Sequence, residues 1–175
     1  MSIASASRCA LRIRASDAVR PLSGPRDGGS SARNCTSAGR GIRGDRYFDF
    51  KDDYKGQITF FSLEIFDELC GALQIQNCSP ALVRRNVITS SLDLNELIDQ
   101  DFEVQGVRFH GMEECRPCYW MDQAIAPGAH EFLKGRGGLR AKILCDGQLR
   151  SKAQLPRMTA DQHSIASPFA RERVG

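Results

Sequence analysis

The first 40 residues of the chain contain no glutamate, no lysine and no aromatic residue, while they hold seven arginines and eight serines. A segment with so few apolar side chains cannot bury enough surface to offset the entropy of ordering. Residues 1–38 are therefore predicted to form a disordered extension. One alternative is a mitochondrial transit segment, which is also rich in Arg and Ser. A nucleic-acid-binding arm is another, but the arginines are scattered, so no nucleic-acid partner is expected.

The sequence also has no run of about 18 uninterrupted apolar residues, the length needed to span a bilayer, so no membrane partner is expected. It lacks an apolar signal-peptide core, and its cysteines are odd in number and irregular in spacing, which disfavours a secreted disulfide framework. A chain of 175 residues can bury a stable hydrophobic core without disulfide cross-links. We predict a cytoplasmic protein whose thiols are mostly free, and these are Cys9, Cys35, Cys70, Cys78, Cys115, Cys118 and Cys145.

Signals for folded structure begin near Gly39, and the strand-like segments that follow are short and separated by glycines. QITFF predicts a strand, and SLEIFDELCGAL predicts a helix of about three turns capped by Ser62. DFEVQGVRFHGME is typical of a hairpin around Gly106, ALVRRNVITSSL predicts a further strand, and Asp146-Gly147 predicts a second hairpin. The sequence thus predicts a mainly β, barrel-like domain over residues 39–153, with one longer helix and a few short helices, before a frayed tail at 154–175.

The stretch EECRPCYWMDQ places two thiols, Cys115 and Cys118, three positions apart. A structural zinc site needs four ligands, and the second pair that would complete a zinc ribbon is absent, so zinc is disfavoured. A thioredoxin-like redox pair is the second interpretation of C-x-x-C. Glu113 and Glu114 precede the pair and would disfavour a thiolate electrostatically, so the redox interpretation remains an alternative.

Several arginines stand beside glycine-rich turns or predicted strand ends, where guanidinium groups and exposed backbone N–H groups together suit phosphate. GRGGLR is not a P-loop, because the Lys-Ser/Thr ending is missing. GRGIRG lacks the preceding strand of a dinucleotide fold. The pattern therefore indicates an anionic ligand without identifying it. The arginines concerned are Arg43, Arg46, Arg84, Arg85, Arg136 and Arg140.

Five motifs occur in order along the chain, namely GRGIRGDRYF, QITFFSLE, RRNVITSSLDL, CRPCYWMDQAIAPG and GRGGLRAKIL. In order and spacing they resemble the MOSC family, the domain found at the C-terminus of molybdenum cofactor sulfurases. The resemblance covers residues 39–150, and the chain looks like a stand-alone bacterial-type member. It implies a β-rich, barrel-like fold that binds the molybdenum-pyranopterin cofactor or handles sulfur destined for metal clusters.

In the mitochondrial amidoxime-reducing relatives, the cysteine that ligates molybdenum lies ten residues before a glycine, as Cys118 lies ten before Gly128 here. The resemblance therefore implies Cys118 as metal ligand and catalytic thiol, with Cys115 as a second, resolving or sulfur-accepting thiol. A soft thiolate suits molybdenum or a transferable sulfur. The residues that would then bind the cofactor, including its phosphate, are Arg43, Asp45, Arg46, Arg84, Arg85, Asn86, Arg136, Gly137, Gly138 and Arg140.

The leading hypothesis is a MOSC protein that binds molybdenum cofactor or carries sulfur for cofactor assembly. The aminotransferase-like domain that makes persulfide in the sulfurases has no counterpart in this sequence. The expected partners are therefore a persulfide-donating pyridoxal-phosphate enzyme and a molybdoenzyme acceptor. One alternative is a small molybdenum-dependent oxidoreductase that reduces N-hydroxylated compounds. Another is a non-enzymatic thiol-redox or cofactor-binding module that uses Cys115 and Cys118. The sequence leaves open the oligomeric state and whether the protein is an enzyme.

Overall fold

A computed structural model describes residues 11–13 and 34–150 of the chain. It confirms the predicted mainly β, barrel-like architecture with one longer helix and several short ones. The predicted tail and most of the predicted extension lie outside the described residues. Within the described ranges no helix is long and apolar enough to cross a membrane. The elements are β1 (Leu11–Ile13), β2 (Asn34–Ser37), β3 (Gly41–Ile42), β4 (Ile58–Ser62), α1 (Leu63–Ala72), a 3-10 helix (Pro80–Val83), β5 (Val87–Thr89), a second 3-10 helix (Leu94–Leu97), β6 (Asp101–Val104), β7 (Val107–Glu114), α2 (Trp120–Ala124), α3 (Ala129–Phe132), β8 (Leu139–Ile143) and β9 (Gly147–Leu149).

The strands form a sheet of six in the order β1-β6-β7-β8-β4-β5 and a sheet of three in the order β3-β2-β9. The central pairs of the larger sheet are antiparallel, whereas β1 with β6 and β4 with β5 are parallel. The register between β7 and β8 shifts between Gly111 and Glu113. A bulge of this kind bends its strand, and here it lies just before β7 ends at Glu114 and the chain continues into Cys115.

A continuous apolar core includes side chains from both sheets. Its centre is a group of three fully buried rings, Phe60 of β4, Phe102 of β6 and Phe109 of β7. Phe60 meets each of the other two with ring centroids 5.3 Å apart and the planes steeply inclined. Such edge-to-face pairs add about 0.5–1.5 kcal/mol each beyond the burial of apolar area. The core therefore fixes β4, β6 and β7 relative to one another.

Helix α1 begins where the sequence predicts, because local signals agree there. The Ser62 hydroxyl accepts a hydrogen bond from the Ile65 amide at 3.3 Å, as expected of an N-cap. Phe66 and Leu69 are buried in a second apolar cluster that also contains Met121 of α2. This cluster joins α1 to α2.

The predicted strand in ALVRRNVITSSL is wrong over its first half. Ser79 caps a 3-10 helix that starts at Pro80, and only Val87–Thr89 forms a strand. Proline has no N–H for a sheet ladder and has a fixed φ that suits the first turn of a helix. Leu82 is 38% exposed because it lies on the outer side of this turn.

The predicted second hairpin is also wrong, because β8 and β9 belong to different sheets. Strand β9 pairs antiparallel with β2, not with β8. The Asp146 carboxylate accepts a hydrogen bond from the Ala38 amide at 2.7 Å, which ties this turn to the end of β2. Strand β2 itself starts at Asn34, ahead of the predicted boundary at residue 39. It supplies the strand before the GRGI loop that was not visible in the sequence.

Candidate functional site

The described part of the chain contains a cavity of about 420 Å³ at one end of β4, β7 and β8. Its lining has four arginines and a single carboxylate, so positive charge predominates. Much of one wall is the loop between β3 and β4, residues 43–56, which we call the rim loop. The lining residues are Asp45, Arg46, Tyr47, Tyr54, Gly56, Gln57, Thr59, Arg84, Arg85, Asn86, Cys115 and Arg140.

A network of polar side chains anchors the rim loop to the sheet. The side-chain oxygen of Asn86 accepts hydrogen bonds from the Thr59 amide at 2.9 Å and from the Thr59 hydroxyl at 2.8 Å. The Asn86 side-chain amide donates to Asp45 Oδ2 at 3.3 Å, and Asp45 Oδ1 accepts from the Tyr47 amide at 2.8 Å. Asp45 and Asn86 therefore have partners within the protein, and these hydrogen bonds fix the position of the rim loop against β4.

Arg84 and Arg85 are adjacent in the chain but have different surroundings. Arg85 is half-buried and donates to three backbone carbonyls, those of Val83 at 3.0 Å, Cys115 at 3.0 Å and Gly137 at 3.2 Å. Arg84 is exposed and has a left-handed backbone, φ 54°, at the end of the 3-10 helix. Within residues 34–150, neither Arg84 nor Arg46 forms an ion pair with a carboxylate. Arg85 has a structural role, and Arg84 has a guanidinium available to a ligand.

We expect Arg85→Gln to lower the free energy of unfolding by about 2–4 kcal/mol, because it removes charge-assisted hydrogen bonds and leaves buried carbonyls unpaired. Arg84→Gln keeps the backbone strain unchanged and is expected to cost less than about 0.5 kcal/mol. Urea unfolding of the two variants measures both values. Equal losses would show that Arg85 does not connect the segments that carry Cys115 and Gly137.

Cys115 is the thiol of the cavity, and its backbone is firmly held. Its side chain is 6% exposed, its amide donates to the Gly138 carbonyl at 2.7 Å, and its carbonyl accepts from Arg85. Gly137 lies against this segment so closely that a Cβ there would stand 2.5 Å from the Cys115 carbonyl oxygen. The bend of β7 and the glycine contact together direct Cys115 into the cavity.

Arg140 of β8 lies beside the Cys115 thiol. Burial lowers the pKa of Arg140, but its hydrogen bond to Cys115 and the charges of Cys115, Tyr54 and Glu113 outweigh this, so the pKa is raised overall. Glu113 also pairs with Lys55 at 3.3 Å and with Arg140 at 3.4 Å. Burial raises the pKa of Tyr54, against the opposing charge of Arg140. The thiol, the phenol and the guanidinium therefore share one polar environment at the inner end of the cavity.

The structure brings together seven of the residues predicted from the sequence and leaves five outside the cavity. Those within it are Asp45, Arg46, Arg84, Arg85, Asn86, Cys115 and Arg140. Cys118 is exposed and does not line the cavity. Arg43 is exposed and donates to the Ser37 hydroxyl at 3.3 Å. Arg136 pairs with Glu68 at 3.2 Å and, with Gly138, lines a separate cavity of about 520 Å³. Gly137 is buried beneath Cys115.

Two aromatic residues of the rim loop line the cavity and were missed by the sequence analysis. Tyr47 and Tyr54 lie 5.7 Å apart between ring centroids, and Phe50 meets both from outside at 5.6 and 5.3 Å. The ring of Tyr54 lies against Gly56, where a Cβ would stand 3.1 Å from it. The signal available in the sequence was the density of aromatics in RYFDFKDDYKG. Thr59 and Gln57 were also missed, because they lie within an otherwise apolar strand segment.

Comparison with known proteins identifies the family. The family model of the MOSC domain matches residues 43–154. The chain belongs to the MOSC domain family. The chain has no match among curated protein sequences. The matched segment contains all twelve residues that line the cavity.

Solved structures with the same fold share little sequence with this MOSC protein. The YuaD protein from Bacillus subtilis is similar with a TM-score of 0.59 and 18% identity, over 77% of this chain and 91% of that one. YiiM from Escherichia coli is similar with a TM-score of 0.56 and 14% identity, over 78% of this chain and 64% of that one. A hypothetical protein has a TM-score of 0.52 and 13% identity, over 67% of this chain and 57% of that one. At these identities the likeness shows the fold alone.

The residues of the cavity fit the molybdenum-pyranopterin cofactor that is associated with the family. The donor set combines one soft thiol with four guanidinium groups, which suit a thiophilic metal and a phosphate respectively. A cavity of about 420 Å³ lies in the range of small-molecule sites. The described residues include no cluster of three or more His, Cys, Asp and Glu side chains able to hold a metal ion. Cys115 is thus the soft ligand that the cavity offers.

Proposed function

We propose that the cavity of this MOSC protein binds the molybdenum-pyranopterin cofactor. The observation that carries the proposal is that a buried thiol and four arginines line the same cavity. In this assignment Arg84 and Arg46 bind the phosphate, since both guanidinium groups lack carboxylate partners within residues 34–150. Arginine binds phosphate through two parallel hydrogen bonds, which fixes the orientation of the ligand as well as its affinity.

Cys115 is the proposed thiolate toward molybdenum. Arg140 lies beside this thiol, and Glu113 holds Arg140 in place through their ion pair. When bound, the cofactor would supply redox chemistry at molybdenum or a metal-bound sulfur. Tyr47 and Tyr54 line one side of the cavity. The polar anchor of Asp45 and Asn86 keeps the rim loop in position for this role.

Carriage of sulfur is a second candidate function, and the exposure of Cys118 favours it. Cys118 is open to a partner protein, and its neighbours Tyr119 and Trp120 are 71% and 42% exposed. In this proposal the Cys118 thiolate attacks the terminal sulfur of a persulfide on a pyridoxal-phosphate enzyme. The new S–S bond makes Cys118 a persulfide, and the donor leaves as its own thiolate. A molybdoenzyme would be the acceptor of that sulfur.

We expect Arg84→Gln to weaken binding of free molybdenum cofactor by about 10- to 100-fold, because one charge-assisted contact to phosphate contributes about 1.5–3 kcal/mol. Titration followed by pterin fluorescence measures the affinity. Arg108→Gln is the matched control, since Arg108 is an exposed arginine of β7 outside the cavity. An equal loss in both variants would show a non-specific effect of net charge, and no loss in Arg84→Gln would contradict the phosphate assignment.

A further inference from the structure

Three aromatic side chains of the rim loop form a compact group beside the cavity. The rings of Tyr47, Phe50 and Tyr54 each contact the other two, with centroids 5.3 to 5.7 Å apart. Phe50 stands edge-on to Tyr47, with the ring planes inclined at 86°. Tyr54 also lies against Gly56, shortly before β4. Because two neighbouring rings pack against it, the ring of Tyr47 has a defined orientation.

The guanidinium group of Arg46 lies over the face of the Tyr47 ring. Its central carbon is 4.6 Å from the ring centroid, which is within the range of a cation–π contact. Arg46 is exposed, and no carboxylate within residues 34–150 forms an ion pair with it. An exposed arginine loses rotamer entropy when it binds an anion. Contact with the ring reduces that loss, because the guanidinium is already held at the cavity.

Arg40 makes a similar contact in the same region but is occupied by a carboxylate. Its guanidinium lies 4.8 Å from the centroid of Phe48, and it also donates hydrogen bonds to Asp49 at 2.7 and 3.2 Å. Neither Arg40 nor Phe48 lines the cavity. Arg46 therefore differs from Arg40 in two respects, because it lines the cavity and has no competing carboxylate.

The support of Arg46 is connected to the large sheet by hydrogen bonds. The Tyr47 amide donates to Asp45 at 2.8 Å, and the other oxygen of Asp45 accepts from Asn86 at 3.3 Å. Asn86 in turn accepts from the amide of Thr59 in β4 at 2.9 Å. The backbone that carries the ring is thus fixed relative to the strand that forms part of the cavity.

We infer that Tyr47 is a positioning residue, whose ring face presents the Arg46 guanidinium to the phosphate of the ligand. The inference rests on the proposed function, since the phosphate is that of the molybdenum-pyranopterin cofactor. The ring face is what matters, so the hydroxyl is not required. Tyr47→Phe should therefore bind the cofactor as the parent does. Tyr47→Leu should bind it about 2- to 5-fold more weakly, the loss that corresponds to one exposed cation–π contact.

Titration with free molybdenum cofactor, followed by pterin fluorescence, tests whether Tyr47 acts through Arg46. Arg46→Gln should weaken binding about 10- to 100-fold. The double variant with Tyr47→Leu should bind within about twofold of Arg46→Gln, because the ring has no guanidinium left to position. Phe48→Leu is the matched control and should bind as the parent does. Circular dichroism checks that each variant is folded.

A second measurement reports on the contact without any cofactor. Phenylglyoxal reacts with the uncharged guanidine, whereas the ring stabilises the charged form, so Tyr47→Leu should raise the rate of modification of Arg46 about 2- to 5-fold. Tyr47→Phe should leave this rate unchanged. Endoproteinase Asp-N cleaves before Asp45 and Asp49, so peptide 45–48 contains Arg46 and no other arginine. Mass spectrometry of this peptide gives the rate.

The outcomes separate this inference from the proposed function. Cofactor binding by the parent and equally by Tyr47→Leu would overturn the positioning role alone, as would an unchanged rate of Arg46 modification in Tyr47→Leu. A double variant weaker than Arg46→Gln by the full factor of Tyr47→Leu would also overturn it, because the ring would then act independently of Arg46. Absence of binding by the parent would instead contradict the proposed function, and the inference with it.

Discussion

Replacing Gly138 with alanine is expected to lower the free energy of unfolding by about 2–5 kcal/mol, through overpacking against backbone and through strain in φ. A Cβ at this position would stand 2.2 Å from the carbonyl oxygen of Phe60, a backbone atom of strand β4. The backbone of Gly138 also has φ +101°, which side chains other than hydrogen rarely allow. Its carbonyl accepts the amide of Cys115, so relief of the clash would displace the cavity thiol.

Gly135 is the matched control for this substitution. It has φ +77°, and nothing lies within 4 Å of a Cβ built on it. Gly135→Ala should therefore lower the free energy of unfolding by only about 1 kcal/mol, the strain of an alanine with a left-handed backbone. Urea unfolding of both variants, with equal slopes, gives the comparison. If the two substitutions lower the free energy of unfolding equally, the close approach of Gly138 to β4 would not determine the stability of this region.

Elements whose signals are local could be predicted from the sequence. Helix α1 was predicted because the cap Ser62 and the buried face with Phe66 and Leu69 lie within a few residues of one another. The hairpin around Gly106 was predicted for the same reason, since β6 and β7 pair directly. Pairing between distant segments carried no such signal. The partner of β9 is β2, more than 100 residues away in the chain, and a strong two-residue turn signal at Asp146 favoured the wrong pairing.

The types of residue at the site could be predicted from the sequence, but which of their side chains face the cavity was harder to predict. The clustering of arginines around glycine turns indicated an anion site, and four of the six arginines do line one cavity. Which of Arg84 and Arg85 is free could not be read from the sequence, because carbonyls from three segments of the chain determine it. Which of Cys115 and Cys118 lines the cavity could not be read from the sequence either. The bulge in β7 and the contact with Gly137 place Cys115 inside, and neither has a local signature.

The second prediction with a large expected effect concerns Cys115 and Cys118. We expect Cys115→Ser to reduce retention of molybdenum by more than about 100-fold, because a hydroxyl is a hard and weakly acidic replacement for a thiolate ligand. Serine nearly preserves volume, so the buried site should remain folded. Cys118→Ser should retain molybdenum, because its side chain is exposed and lies outside the cavity. If Cys118 carries sulfur instead, its substitution should abolish transfer from a persulfide donor while cofactor binding persists.

The measurement that tests the account most directly is the molybdenum and pterin content of the purified protein after incubation with free molybdenum cofactor. It is made on the parent protein, Cys115→Ser and Cys118→Ser, with circular dichroism as a check of folding. The account predicts stoichiometric uptake in the parent and in Cys118→Ser, and loss of molybdenum in Cys115→Ser. Uptake that disappears only in Cys118→Ser would assign the metal to the exposed thiol, and an absence of uptake in every form would contradict the cofactor site itself.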